Sequence, residues 1–133
     1  TADARENHAA WRQQADVVMA DVPCSGLGII RKKPDIRYKS PKELAQLPLI
    51  QRAILENAAS YVRPGGTLVY STCTVLPEEN EDVTGDFLDQ HPEFEPVRTV
   101  FPLPVGPCPG QVTLWPQRHG TDGFYICRMR RKD

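Results

Sequence analysis

Two cysteines stand where a thiol can do chemistry. Cys24 lies in Asp21-Val22-Pro23-Cys24-Ser25-Gly26, directly after the apolar run Ala15–Asp21, and Cys73 closes a second apolar run, Thr67–Cys73. Each run reads as a buried parallel strand, so each thiol falls at a strand's carboxyl end. At such a place backbone amides and a nearby basic segment can lower a thiol's pKa from about 8.5 and make it a nucleophile. A single cysteine at a strand end is more often a small core hydrophobe. Two of them at equivalent positions, one with Asp21 just before it, favour one cleft and covalent catalysis. Cys108 and Cys127 fit neither pattern and read as filler. No Cys-x-x-Cys pair and no histidine at metal spacing accompany the thiols, so no metal site is expected.

The elements that must position these residues can be read from periodicity and punctuation. Ala15–Asp21 is a β-branched strand, followed by the turn containing Cys24 and a basic, proline-broken loop, "IIRKKPDIRYKSP". Ser40 as N-cap and Pro41 at the first helical position open a helix that carries leucine, isoleucine and alanine at helical spacing to near Val62, with a kink possible at Pro48. "RPGG" breaks it, and Thr67–Cys73 forms the second strand. "PEENEDVTGDFLDQHP" predicts an amphipathic helix running to about Gln90. Its acidic first turn complements the helix dipole, and Glu78 and Glu79 either do only that or serve the site. "FEPVRTV" reads as a third strand, residues 101–110, with four prolines, as an irregular loop, and "GFYICRMRR" as the last strand. In that strand Phe124 and Tyr125 either stack on bases or, given the alternation, pack in the core. Strand, helix, strand, helix, strand implies an α/β sheet with right-handed crossovers, which binds ligands beyond the carboxyl ends of its strands. Both cysteines lie there.

Composition narrows the partners. The 133 residues suit one domain, and 40% hydrophobic with 25% charged residues is ordinary soluble composition. Lys plus Arg (16) nearly cancels Asp plus Glu (17), so any attraction to nucleic acid must come from clustered charge. Arg31, Lys32 and Lys33, with Arg37 and Lys39, form such a cluster beside the cleft, as phosphate contacts or as a solvated loop. No apolar run spans a bilayer and no signal peptide is visible, which points to a cytoplasmic protein without a membrane partner. A start on Thr1, almost at once entering a strand, suggests a piece of a longer protein.

Three blocks carry a resemblance. "DVPCSGLGIIRKKPDIRY", "GGTLVYSTCTVLPEENEDV" and "DGFYICRMRRK" are similar to blocks of the RNA cytosine-5 methyltransferases of the Nol/Nop/Sun type. The resemblance implies the C-terminal part of a Rossmann-like sheet that uses S-adenosylmethionine, acting on RNA and foremost on ribosomal RNA. Cytosine carbon 5 is a poor nucleophile, and a thiolate added to carbon 6 makes it reactive. By the family's pattern Cys73 maps to that nucleophile and Cys24 to the cysteine that assists breakdown of the adduct. Asp21 maps to the aspartate that approaches the cytosine and the methyl donor, and Asp3 to one that contacts the cofactor's adenine, although a strand-end cap and a solvated terminal carboxylate are the plainer readings. Val22 and Thr74 replace the family's usual alanine and serine. The glycine-rich cofactor loop and ribose carboxylate belong, in the family pattern, to an upstream half of the same domain, so this chain alone is expected to be inactive. One rival is a non-catalytic RNA-binding or assembly module on the same fold, against which the two thiols argue. The other is a DNA cytosine methyltransferase, in which the Pro-Cys thiol, here Cys24, would attack.

Overall fold

The computed structural model describes residues 2–133. Strand β1 (Ala15–Asp21) is followed by two short 3-10 turns, Leu27–Ile29 and Pro34–Tyr38, and by helix α1 (Pro41–Tyr61). The helix starts where its capping residues are. Ser40 Oγ accepts the Glu43 N–H at 3.3 Å and the Ser40 N–H donates to Glu43 Oε2 at 3.0 Å, a reciprocal cap of the sort that contributes about 1 kcal/mol. Pro48 sits inside the helix without ending it. The buried stripe Gln51, Leu55, Ala58 and Ala59 follows helical spacing and lies against the first two strands.

Strand β2 (Val62–Thr72) pairs in parallel with β1, Val17 opposite Thr67 and Asp21 opposite Ser71. It begins earlier than the "RPGG" break suggests. The register jumps from Ala15 opposite Val62 to Val17 opposite Thr67, so the segment Arg63–Gly66 is an irregularity within the strand, with Gly65 at φ +75°. After a 3-10 turn at Pro77–Glu79, α2 (Glu81–Gln90) starts three residues later than its acidic run implied. The reason is the turn itself: Asn80, at φ −115° and ψ −95°, leaves helical geometry.

The rest of the sheet departs from a succession of parallel crossovers. Residues 94–100 form two short strands, β3 (Phe94–Pro96) and β4 (Thr99–Val100), not one. The supposed irregular loop contains β5 (Pro107–Cys108), which pairs with β4, and two elements not expected follow: β6 (Gln111–Leu114) and the single turn α3 (Pro116–His119). The last strand, β7 (Phe124–Arg131), runs antiparallel to β2 on one edge, while β3 and β6 share its other edge. A short connection from β6 to β7 permits only an antiparallel return; a parallel one would need a longer crossover.

One face of the sheet is closed by α1 and α2. Ala20, Leu55, Leu68, Tyr70, Val83, Phe87, Tyr125 and Met129 form the core there, and burying a side chain the size of valine or larger contributes about 1.5–3 kcal/mol. The opposite face is open along β1, where Val17 and Met19 are 63% and 70% exposed. Among the described residues no helix is long and apolar enough to cross a membrane, and no group of His, Cys, Asp or Glu could hold a metal ion.

Candidate active site

Parallel pairing brings the two cysteine turns side by side at the carboxyl ends of β1 and β2. Cys24 Sγ and Cys73 Sγ stand 3.0 Å apart, and the Cys73 N–H donates to Cys24 Sγ at 3.3 Å. Both thiols are half-buried and unoxidised. Burial, then the hydrogen bond with Cys73, pushes the Cys24 thiol up to about 12, so it keeps its proton at neutral pH.

Each turn is braced by buried polar groups. On the Cys73 side Thr72 Oγ1 donates to Asn80 Oδ1 at 2.6 Å, Asn80 Nδ2 donates to the Thr74 carbonyl at 3.1 Å, and all three residues are fully buried. On the Cys24 side Ser25 Oγ donates to Thr74 Oγ1 at 2.7 Å. Serine would offer the same hydroxyl, which is why threonine at 74 is tolerated. Glu79, 2% exposed, accepts the Ser25 N–H at 2.9 Å and Gln51 Nε2 at 2.8 Å, and Gln51 Nε2 also donates to the Pro23 carbonyl at 3.0 Å. Glu79 thus serves neither solvent nor a helix dipole. Gln51 and Ser71 were not singled out from the sequence. A glutamine in the apolar stripe of a helix, in register with Leu55 and Ala58, was the available signal for the first.

Asp21 is exposed at the end of β1 and accepts the Ser71 hydroxyl at 2.9 Å, which fixes its carboxylate across the strand pair. Asp3 is exposed in the N-terminal turn, where Arg5 donates to it from Nε at 3.0 Å and from Nη2 at 2.6 Å. The Arg5 guanidinium hydrogen bond lowers the Asp3 carboxyl to about 2. Beside Asp3 a cavity of about 260 Å³ opens against β1, lined by His8, Trp11, Val18, Met19 and Ala20.

The basic loop is tied to the Cys24 turn rather than free over the surface. Ile36 is buried, its Cδ1 2.8 Å from where a Cβ on Gly26 would stand, and Lys39 Nζ donates to the Ser25 carbonyl at 3.0 Å. Arg31 and Lys33 are exposed, whereas Lys32 pairs with Asp122. The third sequence block closes the same corner. The Gly123 N–H donates to the Gly28 carbonyl at 2.8 Å and the Gly28 N–H to the Cys73 carbonyl at 3.0 Å. A Cβ on Gly28 would lie 1.9 Å from the Gly123 carbonyl oxygen, so glycine is required there by close backbone approach. Of the aromatic pair in β7, Tyr125 is fully buried and hydrogen-bonds Thr84 Oγ1 at 2.7 Å, which assigns it to the core; Phe124 is half-buried. Cys127 is buried, and Cys108 is half-buried in β5.

A sheet with functional groups at the carboxyl ends of adjacent parallel strands, and helices packed on its core face, is the Rossmann-like arrangement of S-adenosylmethionine-dependent methyltransferases. The chain belongs to the 16S rRNA methyltransferase RsmB/F family, whose sequence model matches residues 1–130. It is similar to the probable ribosomal RNA small subunit methyltransferase B of Bacillus subtilis, with 45% identity over 99% of this chain and 31% of that protein. Among solved structures, PH0851 superposes with a TM-score of 0.86 at 36% identity, covering 98% of this chain and 30% of that one. NSun6 from Pyrococcus horikoshii with SFG superposes with a TM-score of 0.71 at 26% identity, over 99% of this chain and 34% of that one. The chain thus spans about a third of the length of the relatives it matches.

Proposed function

We propose that this chain carries the catalytic thiols of an S-adenosylmethionine-dependent RNA cytosine-5 methyltransferase acting on ribosomal RNA, with the remainder of the cofactor site supplied by an upstream half of the same domain. The observation that carries this reading is the pair of thiols held 3.0 Å apart at neighbouring strand ends, since binding RNA alone needs neither. The family relationship supplies the substrate class.

The residues divide the work by position. Cys73 Sγ adds to cytosine carbon 6, and the electron pair displaced to carbon 5 makes that carbon nucleophilic. Cys24 assists the reverse step: after transfer the carbon 5 proton passes to water, its electron pair re-forms the ring double bond and Cys73 Sγ leaves as the thiolate. Asp21, oriented by Ser71, faces the ring nitrogen 3 and exocyclic amine of the attacked base. The cavity by Asp3 suits a purine, with aromatic and apolar walls and a carboxylate at the rim, so Asp3 and Asp21 would hold the cofactor's two ends. S-adenosylmethionine, when bound, supplies an electrophilic methyl group. Arg31, Lys32 and Lys33 contact RNA phosphates.

The test is a pair of variants in the full-length protein. Cys73→Ala should abolish methyl transfer and form no adduct, whereas Cys24→Ala should accumulate a covalent RNA–protein species on denaturing gels. An adduct held by the Cys73→Ala protein, with none in Cys24→Ala, would exchange the two roles; methylation of DNA in preference to RNA would overturn the substrate class.

A further inference from the structure

Glu79 is a buried carboxylate that the chemistry above leaves unused. No Lys, Arg or His among the described residues pairs with it, and a buried charge without a counter-ion is expensive to keep. Its hydrogen bonds show what it holds. Oε1 accepts the Ser25 N–H at 2.9 Å and Gln51 Nε2 at 2.8 Å, and the same Gln51 nitrogen reaches the Pro23 carbonyl at 3.0 Å. Both neighbours of Cys24 are therefore tied to one oxygen atom, Ser25 directly and Pro23 through Gln51.

The anchor itself belongs to the other side of the cleft. Tyr70 Oη donates to the Glu79 carbonyl at 2.5 Å, which fastens the 3-10 turn to β2, the strand that delivers Cys73. Cys73 is braced by Thr72, Thr74 and Asn80, which the Cys24 turn meets only through the Ser25 hydroxyl on Thr74 Oγ1. Displacing the Glu79 carboxylate would then move the Cys24 turn more than the Cys73 turn.

We propose that Glu79 is a positioning residue for Cys24, setting the separation of the two sulfurs by reach rather than by charge. For its catalytic consequence the proposal rests on the roles assigned to the cysteines above; for the geometry it does not. Glu79→Gln keeps an oxygen where Oε1 stands and removes the charge, and Glu79→Asp keeps the charge but withdraws the oxygen by one methylene. The two variants separate reach from charge.

The experiment uses the full-length protein and two readouts. In the first, the thiols are oxidised with diamide, which takes two electrons and two protons from the pair as its N=N bond is reduced to the hydrazine, and the Cys24–Cys73 disulfide is timed by peptide mass. Wild type and Glu79→Gln should close it at similar rates, and Glu79→Asp at least about 10-fold more slowly, because an effective molarity this high depends on placement. In the second, Glu79→Asp should lose about 100-fold in turnover, as expected for a misplacement near 1 Å, and accumulate the covalent RNA adduct as Cys24→Ala does. Glu79→Gln should turn over within a few-fold of wild type. Glu79→Gln as slow as Glu79→Asp in the disulfide readout, or Glu79→Asp as fast as wild type, would overturn the proposal. A wild-type protein that forms no RNA adduct would instead overturn the proposed function, and the disulfide rates would still decide the role of Glu79.

Discussion

Two sulfurs 3.0 Å apart sit in unequal surroundings, since the Cys73 N–H donates to Cys24 Sγ. Burial, and then the hydrogen bond with Cys73, raise the pKa of the Cys24 thiol, which keeps its proton at neutral pH. At the same scale, Gly28 shows how a residue without a side chain can serve the site. It links the Cys73 carbonyl to Gly123, and a methyl group there has no room, since backbone rather than a yielding side chain lies 1.9 Å away. Gly28→Ala should destabilise the full-length protein by about 1–3 kcal/mol, the range for forced overpacking, and should lower methyl transfer by shifting the Cys24 loop. Urea unfolding measures the first; an unchanged midpoint would mean that the glycine contact is not formed in solution. Gly85, with no atom within 4 Å of its added Cβ, is the matched control, where alanine should not destabilise.

The basic loop is an element whose charges are not equivalent. Arg31 and Lys33 are exposed and free of ion pairs among the described residues, whereas Lys32 faces Asp122 across the Gly28–Gly123 contact. Each phosphate contact to RNA contributes about 0.7–0.9 to the slope of log affinity against log salt. Arg31→Ala and Lys33→Ala should each flatten that slope by about 0.7, the value for single strands, in single-stranded RNA binding. Lys32→Ala should flatten it less. Equal loss from all three would mean that the Asp122 pair, with its lysine largely exposed, opens when RNA arrives. No loss from any would make the loop a solvated face. α1 contributes differently: Gln51 reaches from its buried stripe into the Cys24 turn, so the helix both closes the core and holds that turn.

At the scale of the whole molecule the sheet is open on one side. Val17 and Met19 project from β1 into solvent, and among the described residues no strand pairs with the outer edge of β1, beside the cavity near Asp3. With the chain spanning about a third of its relatives, the 133-residue piece expressed alone should bind S-adenosylmethionine far more weakly than the full-length protein. Several hydrogen bonds at about 1 kcal/mol each account for orders of magnitude in affinity. Calorimetric titration of the isolated chain decides this: a micromolar dissociation constant with one-to-one stoichiometry would place the cofactor site within these residues.

What could be read from the sequence was local. The β-branched run Ala15–Asp21 is legible as a strand, though not as the buried one expected, since it lies at the sheet's edge with only Ala20 buried; Ser40 and Glu43 cap the helix through neighbours three residues apart, and the two cysteine blocks announce themselves by composition. What the tertiary structure alone decided joins residues far apart in the chain. The placement of β7 between β2 and the shared edge of β3 and β6, the closure of Gly28 on Gly123 and the pairing of Lys32 with Asp122 have no periodic signature. Glu79 is the clearest case. Beside Glu78 it looks like half of an acidic helix start, yet one glutamate is exposed and the other buried, because only the fold brings Ser25 and Gln51 to a carboxylate 54 and 28 residues away. Local patterning fixes which segments must be strand or helix, since it acts on the backbone of adjacent residues; which polar group is turned inward depends on donors that distant segments supply.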